Sequence, residues 1–284
     1  MEIIKDKFYE GERPLYAAKD VRLENVKFYP GESALKEASN IEADNCYFMG
    51  KYPFWHNENT EIRNSLFTVY GRAAIWYSKN IRMYDTVVEA PKMFREIDGL
   101  YLENVKLPNA GETCWNCRDL ELKNVEAYDA PYIFMNSQNI KIEDFKLRGD
   151  YSFQDAKNVV IRNAHLDSKD AFWKTENVTV YDSVVDGEYL GWHSKNLKFV
   201  NCKINGTQPF CYVENLTLEN CEMLGNCDLS FEYSTVNADV TTHIVSVKNP
   251  MGGVIKAKSI GEIIMDENVR KPGECKIEVL ENQK

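Results

Sequence analysis

The sequence predicts an all-β solenoid, a parallel β-helix, and three observations lead to that prediction. A short phrase in which Asn or Asp brackets alternating apolar residues recurs through most of the 284 residues. The apolar residues of each phrase alternate with polar ones, which is the periodicity of a strand and not of a helix. Aromatic residues precede each phrase at a fixed distance. Repetition of one small unit at a constant period is typical of solenoids.

The phrase opens with Asn or Asp and closes with Asn or Asp five residues later. Eleven copies, 19 to 21 residues apart, open at Asp20, Asn40, Asn59, Asn80, Gly99, Asp119, Asn139, Asn158, Asn177, Asn196 and Asn215. Because Asn tolerates left-handed backbone, each closing residue predicts a sharp turn, and stacked amides can form a hydrogen-bonded ladder. We therefore predict a single domain, 1–284, of eleven or more coils with three short strands each. Its parts are a cap at 1–19, regular coils at 20–225, and atypical coils with a cap at 226–284.

The apolar and aromatic positions of the repeat predict which side chains build the core and which form an aromatic face. The residues one and three places after each opening position, such as Val178 and Val180, should point inward. All five tryptophans lie four residues before an opening position, and a column rich in Phe lies one residue earlier still. Neighbouring residues on a strand face opposite ways, so both aromatic columns cannot point inward. We expect one of them to be at least partly exposed.

Composition excludes several classes of function. The formal net charge of -10 disfavours nucleic-acid binding, because a phosphate backbone would be repelled. The sequence has no apolar run of the roughly 18 residues that a membrane span needs, and its first residues do not have the apolar stretch of a secretory signal. Eight Cys are too few for a disulfide scaffold, and none completes a metal set. We predict a soluble, cytoplasmic protein with no metal and no cofactor.

The Asn ladder, the stacked aliphatic columns and the three-strand coil resemble the right-handed β-helix of the pectin-lyase-like superfamily. The phrases NVTVYDSVV, NLTLENCEM and SIGEIIMDENV also resemble a bacterial family catalogued only as a domain of unknown function. The resemblance covers about residues 15 to 270. It implies the fold, whereas the superfamily includes lyases, hydrolases, esterases and non-catalytic adhesins on one scaffold. In its polysaccharide-processing members, the substrate lies along the first sheet.

In this chain the corresponding segment is the aromatic one before each phrase, where a polar file lies three residues before each opening position. Asp155, Lys174 and His193 occupy that file on consecutive coils, and we predict them as candidate catalytic residues. Predicted substrate-binding residues are Trp173, Trp192, Glu96, Asn116 and Asn136. A lyase would use a base such as Lys174, and a hydrolase would use two carboxylates, such as Glu96 and Asp155. The alternative is that the file is only the solvated shoulder of a turn.

Two functions remain open at this point. The first is binding or processing of a carbohydrate along the first sheet, because aromatic faces stack on sugar rings. The second is a non-catalytic scaffold that docks a protein partner on a long regular face. The paired Asp and Gly-His-Gly strings of polygalacturonase-like hydrolases are missing, as is the acidic calcium cluster of pectate lyases. The sequence leaves enzyme activity and oligomeric state open, with an oligosaccharide or a protein as the expected partner.

Overall fold

The computed structural model describes residues 1–269 and 273–280. Within these residues the chain has 25 β-strands and no α-helix. The strands are β1 (Glu2–Lys5), β2 (Phe8–Glu12), β3 (Lys19–Glu24), β4 (Lys27–Glu32), β5 (Ser39–Asp44), β6 (Tyr47–Phe48), β7 (Glu58–Arg63), β8 (Leu66–Phe67), β9 (Ile75–Trp76), β10 (Lys79–Tyr84), β11 (Val87–Val88), β12 (Phe94–Arg95), β13 (Asp98–Glu103), β14 (Lys106–Leu107), β15 (Arg118–Ala127), β16 (Gln138–Asp150), β17 (Lys157–Lys169), β18 (Glu176–Tyr181), β19 (Val184–Asp186), β20 (Lys195–Val200), β21 (Lys203–Asn205), β22 (Glu214–Met223), β23 (Thr235–Lys248), β24 (Gly252–Ile264) and β25 (Glu274–Val279).

The chain divides into two compact units, Met1–Lys146 (unit 1) and Leu147–Lys284 (unit 2). In unit 1 the phrase strands pair in parallel in the order β1, β3, β5, β7, β10, β13 and β15. In unit 2 the parallel order is β17, β18, β20, β22, β23, β24 and β25. Counted over both units, the strands make about 14 turns, which confirms the predicted parallel β-solenoid.

The core is built from columns of equivalent residues on successive coils. In unit 2, Val159 pairs with Val178, Val178 with Leu197, and Leu197 with Leu216. All are almost completely buried, and so is Val180. Each large aliphatic side chain buried in this way contributes about 1.5 to 3 kcal/mol. The predicted inward positions are confirmed for the six residues Ile140, Ile142, Val178, Val180, Leu216 and Leu218.

Each regular coil has left-handed residues at the same four places, and a few coils have one or two more, such as Cys114 and Phe134. Two of the four are the opening and closing positions of the phrase, and the others lie three and seven residues before the opening position. In the coil that opens at Asn177 the four are Asp170, Lys174, Asn177 and Asp182, with φ between 50° and 59°. Left-handed backbone costs most residues about 1 to 2 kcal/mol, while Gly, Asn and Asp adopt it more readily. The two phrase columns are accordingly almost all Asn or Asp, but the other two hold many residue types.

Amide ladders form at the closing position, as predicted, and also at the opening position. In unit 2, Asn196 Nδ2 donates to Asn177 Oδ1 at 2.8 Å, and Asn215 Nδ2 donates to Asn196 Oδ1 at 2.8 Å. In unit 1, Asn80 Nδ2 donates to Asn59 Oδ1 at 3.0 Å. Gly99 interrupts this ladder, because it has no side-chain amide to donate a hydrogen bond. A second ladder follows the closing position, where Asn124, for example, donates to Asn104.

The remaining parts of the coils differ from the expectation in two respects. Among the described residues, the third segment of the coil forms a strand pair only between β9 and β12, and elsewhere it is mostly a turn, because left-handed residues stand at both of its ends. Residues 1–19, expected to be a cap, form a coil whose strands pair with β3 and β4. Towards the other end, β23 and β24 are long strands in parallel register, so the solenoid continues beyond residue 225.

The buried column predicts the effect of a charge. Val180→Asp should lower the free energy of unfolding by about 3 kcal/mol or more, because Val180 is fully buried and the new carboxylate would have no partner. The matched control is Val160→Asp on the outward face, where the side chain is 37% exposed, and it should change stability by less than about 0.5 kcal/mol. Thermal and urea unfolding measure both. Equal effects of the two substitutions would contradict the inward column.

The ladder predicts a difference between Ala and Gly at Asn196. Asn196→Ala removes both ladder bonds and places a side chain with no local hydrogen bond at φ 54°, so we expect a loss of about 2 kcal/mol. Asn196→Gly also removes the bonds but relieves the strain, and should lose about half as much. Urea unfolding of the two variants tests this. An Ala variant as stable as the Gly variant would rule out left-handed strain at this corner.

Candidate functional site

The tryptophan column is the aromatic column that faces solvent. The Phe-rich column, represented by Phe54, Phe94, Phe153 and Phe172, is completely buried. The tryptophans, which follow that column by one residue, are all partly exposed: Trp55, Trp76, Trp115, Trp173 and Trp192. The expectation that one aromatic column is at least partly exposed is therefore correct.

The indole nitrogens fasten the tryptophan column to the backbone. Trp55 Nε1 donates to the carbonyl of Ala73 at 2.7 Å, and Trp192 Nε1 donates to that of Gln208 at 3.0 Å. Trp76 and Trp115 make the same bond to Lys92 and Tyr132. In each case the acceptor is the left-handed corner residue, seven before the opening position, of the next coil. These rings therefore have a structural role besides any role in binding.

In unit 1 the ring faces of the column cover one another. Trp55 stacks on Trp76 with centroids 5.2 Å apart and planes 8° apart. The Arg95 guanidinium lies between Trp76 and Trp115, at 4.4 and 4.5 Å from the two ring centroids. The guanidinium also contacts Glu112, at 3.4 Å. Such a stack presents ring edges and not ring faces to solvent, so it offers little surface for a sugar ring.

In unit 2 the column is open. The rings of Trp173 and Trp192 are tilted by 47° with centroids 6.4 Å apart, so neither covers the face of the other completely. Beside them, His193 stacks on Tyr212, with centroids 4.9 Å apart. Tyr212 is 39% exposed. This combination of tilted indoles, an imidazole and a phenol places aromatic surface next to hydrogen-bonding groups.

Asp155, Lys174 and His193 occupy equivalent left-handed corners of three successive coils, joined by backbone hydrogen bonds. Lys174 and His193 are exposed and Asp155 is half-buried. Burial lowers the pKa of the His193 imidazole, and the Lys174 ammonium lowers it further, so these two groups interact. The Asp155 carboxylate accepts a hydrogen bond from Gln154 at 3.1 Å. In the part of the chain that the structure describes, no side-chain hydrogen bond or ion pair joins the three.

The predicted binding residues of unit 1 lie in the same corner column. Asn136 Nδ2 donates to Asn116 Oδ1 at 2.8 Å, so these two amides form a short ladder of their own. Both are exposed, as is Glu96 on the coil before them. The neighbouring ring of Trp115 is covered on one face by Arg95. Unit 1 therefore presents polar groups at this position without an open aromatic face.

A groove of about 630 Å³ lies on a different face of unit 1. It runs over the outward residues of the phrase strands, including Glu61, Arg82 and Tyr101, along the amide ladder. Glu61 is held by Arg63 at 2.7 Å, and the Tyr101 hydroxyl donates to Glu103 at 2.7 Å. The groove does not include any of the predicted site residues.

Asp170 is a titratable residue that the sequence did not single out. Its side chain is 2% exposed, and burial raises the pKa of its carboxyl to about 6. Asp170 stands in the corner column seven residues before the opening position, between Tyr151 and Tyr189 on the adjacent coils. In the sequence, the signal for this residue is an acid that stands between two tyrosines at the same position of the repeat. That position can be recognised only once the corner is known.

Other groups suited to chemistry are engaged or buried. Cys114 and Cys117 are buried, and burial raises the pKa of Cys117 to about 12, which makes it a poor nucleophile. Over residues 1–269 and 273–280, no group of three His, Cys, Asp or Glu side chains could hold a metal ion. The same residues include no helix that is long and apolar enough to cross a membrane.

The stacked parallel strands and left-handed corner columns define a β-solenoid protein. The chain belongs to the family described as "Protein of unknown function (DUF3737)", whose model matches residues 2–278. No curated protein matches the chain.

Several solved structures are similar to the chain. HetL, a pentapeptide repeat protein from the cyanobacterium Nostoc sp. strain PCC 7120, is 11% identical over 81% of this chain and 89% of its own, with a TM-score of 0.34. PfbA, a surface adhesin of Streptococcus pneumoniae, is 8% identical over 93% and 80%, with a TM-score of 0.41. The tailspike of E. coli bacteriophage HK620, in complex with a pentasaccharide, is 10% identical over 90% and 65%, with a TM-score of 0.43. At these scores none bears on function.

The raised pKa of Asp170 predicts how stability depends on pH. Between pH 3.8 and about 6 the folded state keeps the proton that the unfolded state has lost, so the fold loses stability over that range and the loss is complete above about pH 6. Relative to the parent, Asp170→Asn should therefore gain about 3 kcal/mol between pH 4 and pH 7.5. Urea unfolding at a series of pH values measures this difference. A stability difference that stays constant with pH would contradict the raised pKa.

Proposed function

We propose that the protein binds a carbohydrate on the aromatic strip of unit 2. The strip comprises Trp173, Trp192, Lys174, His193 and Tyr212. The observation that carries the proposal is the open arrangement of Trp173 and Trp192, whose rings are tilted by 47° and partly exposed. Sugar rings pack their apolar C–H faces on aromatic rings, whereas in unit 1 the ring faces of Trp55 and Trp76 cover one another.

Polar groups beside the rings supply the second requirement of a sugar site. Lys174, His193 and Tyr212 present an ammonium, an imidazole and a phenol to solvent on three consecutive coils. Equivalent positions on neighbouring coils are about 4.8 Å apart, which is close to the length of one sugar residue in an extended chain. A linear oligosaccharide lying along the solenoid axis could then meet one polar group on each coil and an indole ring on two of the three. The Lys174 ammonium favours a sugar that carries a carboxylate.

The same groups suit proton abstraction better than hydrolysis. The lowered pKa of His193 leaves its imidazole neutral at neutral pH, which is the form that accepts a proton. Lys174 beside it could stabilise negative charge that develops on a uronate carboxylate. Asp155, at the same corner position on the coil before the strip, offers a carboxylate, but it is half-buried beside Gln154. This strip would therefore support the reaction of a lyase better than that of a hydrolase.

The closed column of unit 1 favours a second function, a non-catalytic scaffold. Trp55, Trp76, Arg95 and Trp115 cover one another, so their packing rigidifies the face instead of leaving it free for a sugar. A rigid face with regularly spaced groups suits a protein partner. Such a partner would dock on the polar corner column and would not require the tilted indoles of unit 2.

Carbohydrate binding is tested with a glycan array that includes acidic oligosaccharides, followed by calorimetric titration of any oligosaccharide retained. Trp192→Ala and His193→Ala should each weaken glycan binding at least tenfold. Lys174→Ala should weaken the binding of acidic glycans more than that of neutral ones. Matched controls are His165→Ala and Lys203→Ala, exposed residues of unit 2 that pair with Asp186 and Glu222 outside the strip. These should bind like the parent.

Two results would contradict the proposal. One is a folded protein that retains no glycan, and the other is binding that is unaffected by the strip variants. Retention of a protein partner by the parent and by Trp192→Ala alike, with no glycan bound, would favour the scaffold. Melting temperatures of all variants show whether a loss of binding reflects unfolding.

A further inference from the structure

Asp170 occupies a corner at which the coils on both sides carry tyrosine. Its φ is 51°, and its neighbours in the column are Tyr151 and Tyr189. The backbone N–H of Asp170 donates to the carbonyl of Glu188 at 2.8 Å, and the carbonyl of Asp170 accepts from the N–H of Trp173 at 3.3 Å. The carboxyl is therefore held at a fixed place directly before the tryptophan of the strip.

The two oxygens of this carboxyl have different surroundings. The Tyr151 hydroxyl donates a hydrogen bond to the carboxyl. The other oxygen, Oδ1, is buried and has no hydrogen-bond partner among the described residues. A neutral carboxyl tolerates such a place, whereas a carboxylate there lacks a donor for a buried charge. Burial accordingly raises the pKa of Asp170 to about 6.

The charged groups that act on Asp170 are Lys169, Asp150 and Glu188. Lys169 favours the carboxylate, and the two acids oppose it. The Lys169 ammonium is engaged elsewhere, at 3.6 Å from Glu188 Oε2 and 5.2 Å from the ring centroid of Tyr189. Once Asp170 is ionised, its carboxylate lacks a hydrogen-bond donor at Oδ1. The Lys169 ammonium could become that donor by leaving Glu188.

The corner is in contact with the strip through its tyrosines. The ring centroids of Tyr151 and Trp173 are 5.8 Å apart, and those of Tyr189 and Trp192 are 5.0 Å apart. Because Tyr151 also holds the Asp170 carboxyl, a change at that carboxyl reaches Trp173 through one intervening side chain. Among the described residues, Trp192, the other tryptophan of unit 2, has no such link to a buried acid.

We propose that Asp170 is a positioning residue for the strip, and that gain or loss of its proton changes how Tyr151 and Trp173 lie at this corner. With the proton present, the neutral carboxyl stays on the Tyr151 hydroxyl and Oδ1 needs no further donor. Without it, Oδ1 draws in the Lys169 ammonium, and Tyr151 and the Trp173 ring move with the rearranged corner. The inference concerns the protein without a ligand, so it can fail or succeed independently of carbohydrate binding.

The test uses ¹⁹F NMR of the full chain labelled with 5-fluorotryptophan, which places one fluorine on each of the five tryptophans. Trp173→Phe assigns the resonance of Trp173. All titrations use a His193→Gln background, because His193 lies 6.3 Å from Trp173 and is itself titratable, with a pKa that burial lowers. The resonance of Trp173 should shift with a midpoint near pH 6, and those of Trp55, Trp76 and Trp115 should follow no such curve.

Two variants decide the cause of that shift. Asp170→Asn should abolish it, and Lys169→Met should raise its midpoint, because the cation that favours the carboxylate is gone. The proposal is overturned if the Trp173 resonance does not move between about pH 5 and pH 7, or if it moves with the same midpoint in Asp170→Asn. Should Asp170→Asn fail to fold, an unchanged midpoint in Lys169→Met would overturn the proposal.

Discussion

The structure depends on one constraint: the backbone must turn through the left-handed region at the same four places in each regular coil. These corners set the length of each side, and stacking in register then brings like residues together on successive coils. The resulting core columns, amide ladders and aromatic column are all consequences of that register. Most residues resist left-handed backbone by about 1 to 2 kcal/mol, so hydrogen bonding and burial between coils must hold it in place. Stability is therefore shared between neighbouring coils and does not reside within any single one.

The sequence predicted the inward columns and one of the four corners, the closing position of the phrase, because both have a local signal. Val178 and Val180 alternate with polar residues, and Asp182 is of a type that tolerates the left-handed region. The opening corner, at Asn177, has the same local signal but was not predicted as a turn. The other two corners could not be predicted, since Lys174 and Asp170 have no such preference and are held there by their neighbours. The strand expected between those corners is for the same reason mostly a turn. Local preference was informative only where it agreed with the tertiary constraint.

The same distinction explains what could be foreseen of the candidate site. The mixed file of acids, bases and amides is a corner column whose side chains point outward, so packing does not restrict their type. That variety alone does not indicate chemistry, as the paired amides of Asn116 and Asn136 illustrate. What separates the two units is the geometry of the rings, stacked at 8° for Trp55 and Trp76 and tilted at 47° for Trp173 and Trp192. Five tryptophans at the same position of a sequence repeat cannot reveal that difference.

The amide ladders have a direction. Each Nδ2 donates to an oxygen on the preceding coil, so a ladder member must donate backwards and accept forwards. An aspartate can only accept, and the aspartates with a ladder bond in the described residues, such as Asp20, Asp119 and Asp182, each receive the Asn of the coil that follows. Aspartate is thus confined to the first rung of a run. Deamidation, which converts Asn to Asp as a protein ages, would cut a ladder on the side of the preceding coil only, and the damaged residue would become the first rung of a shorter run.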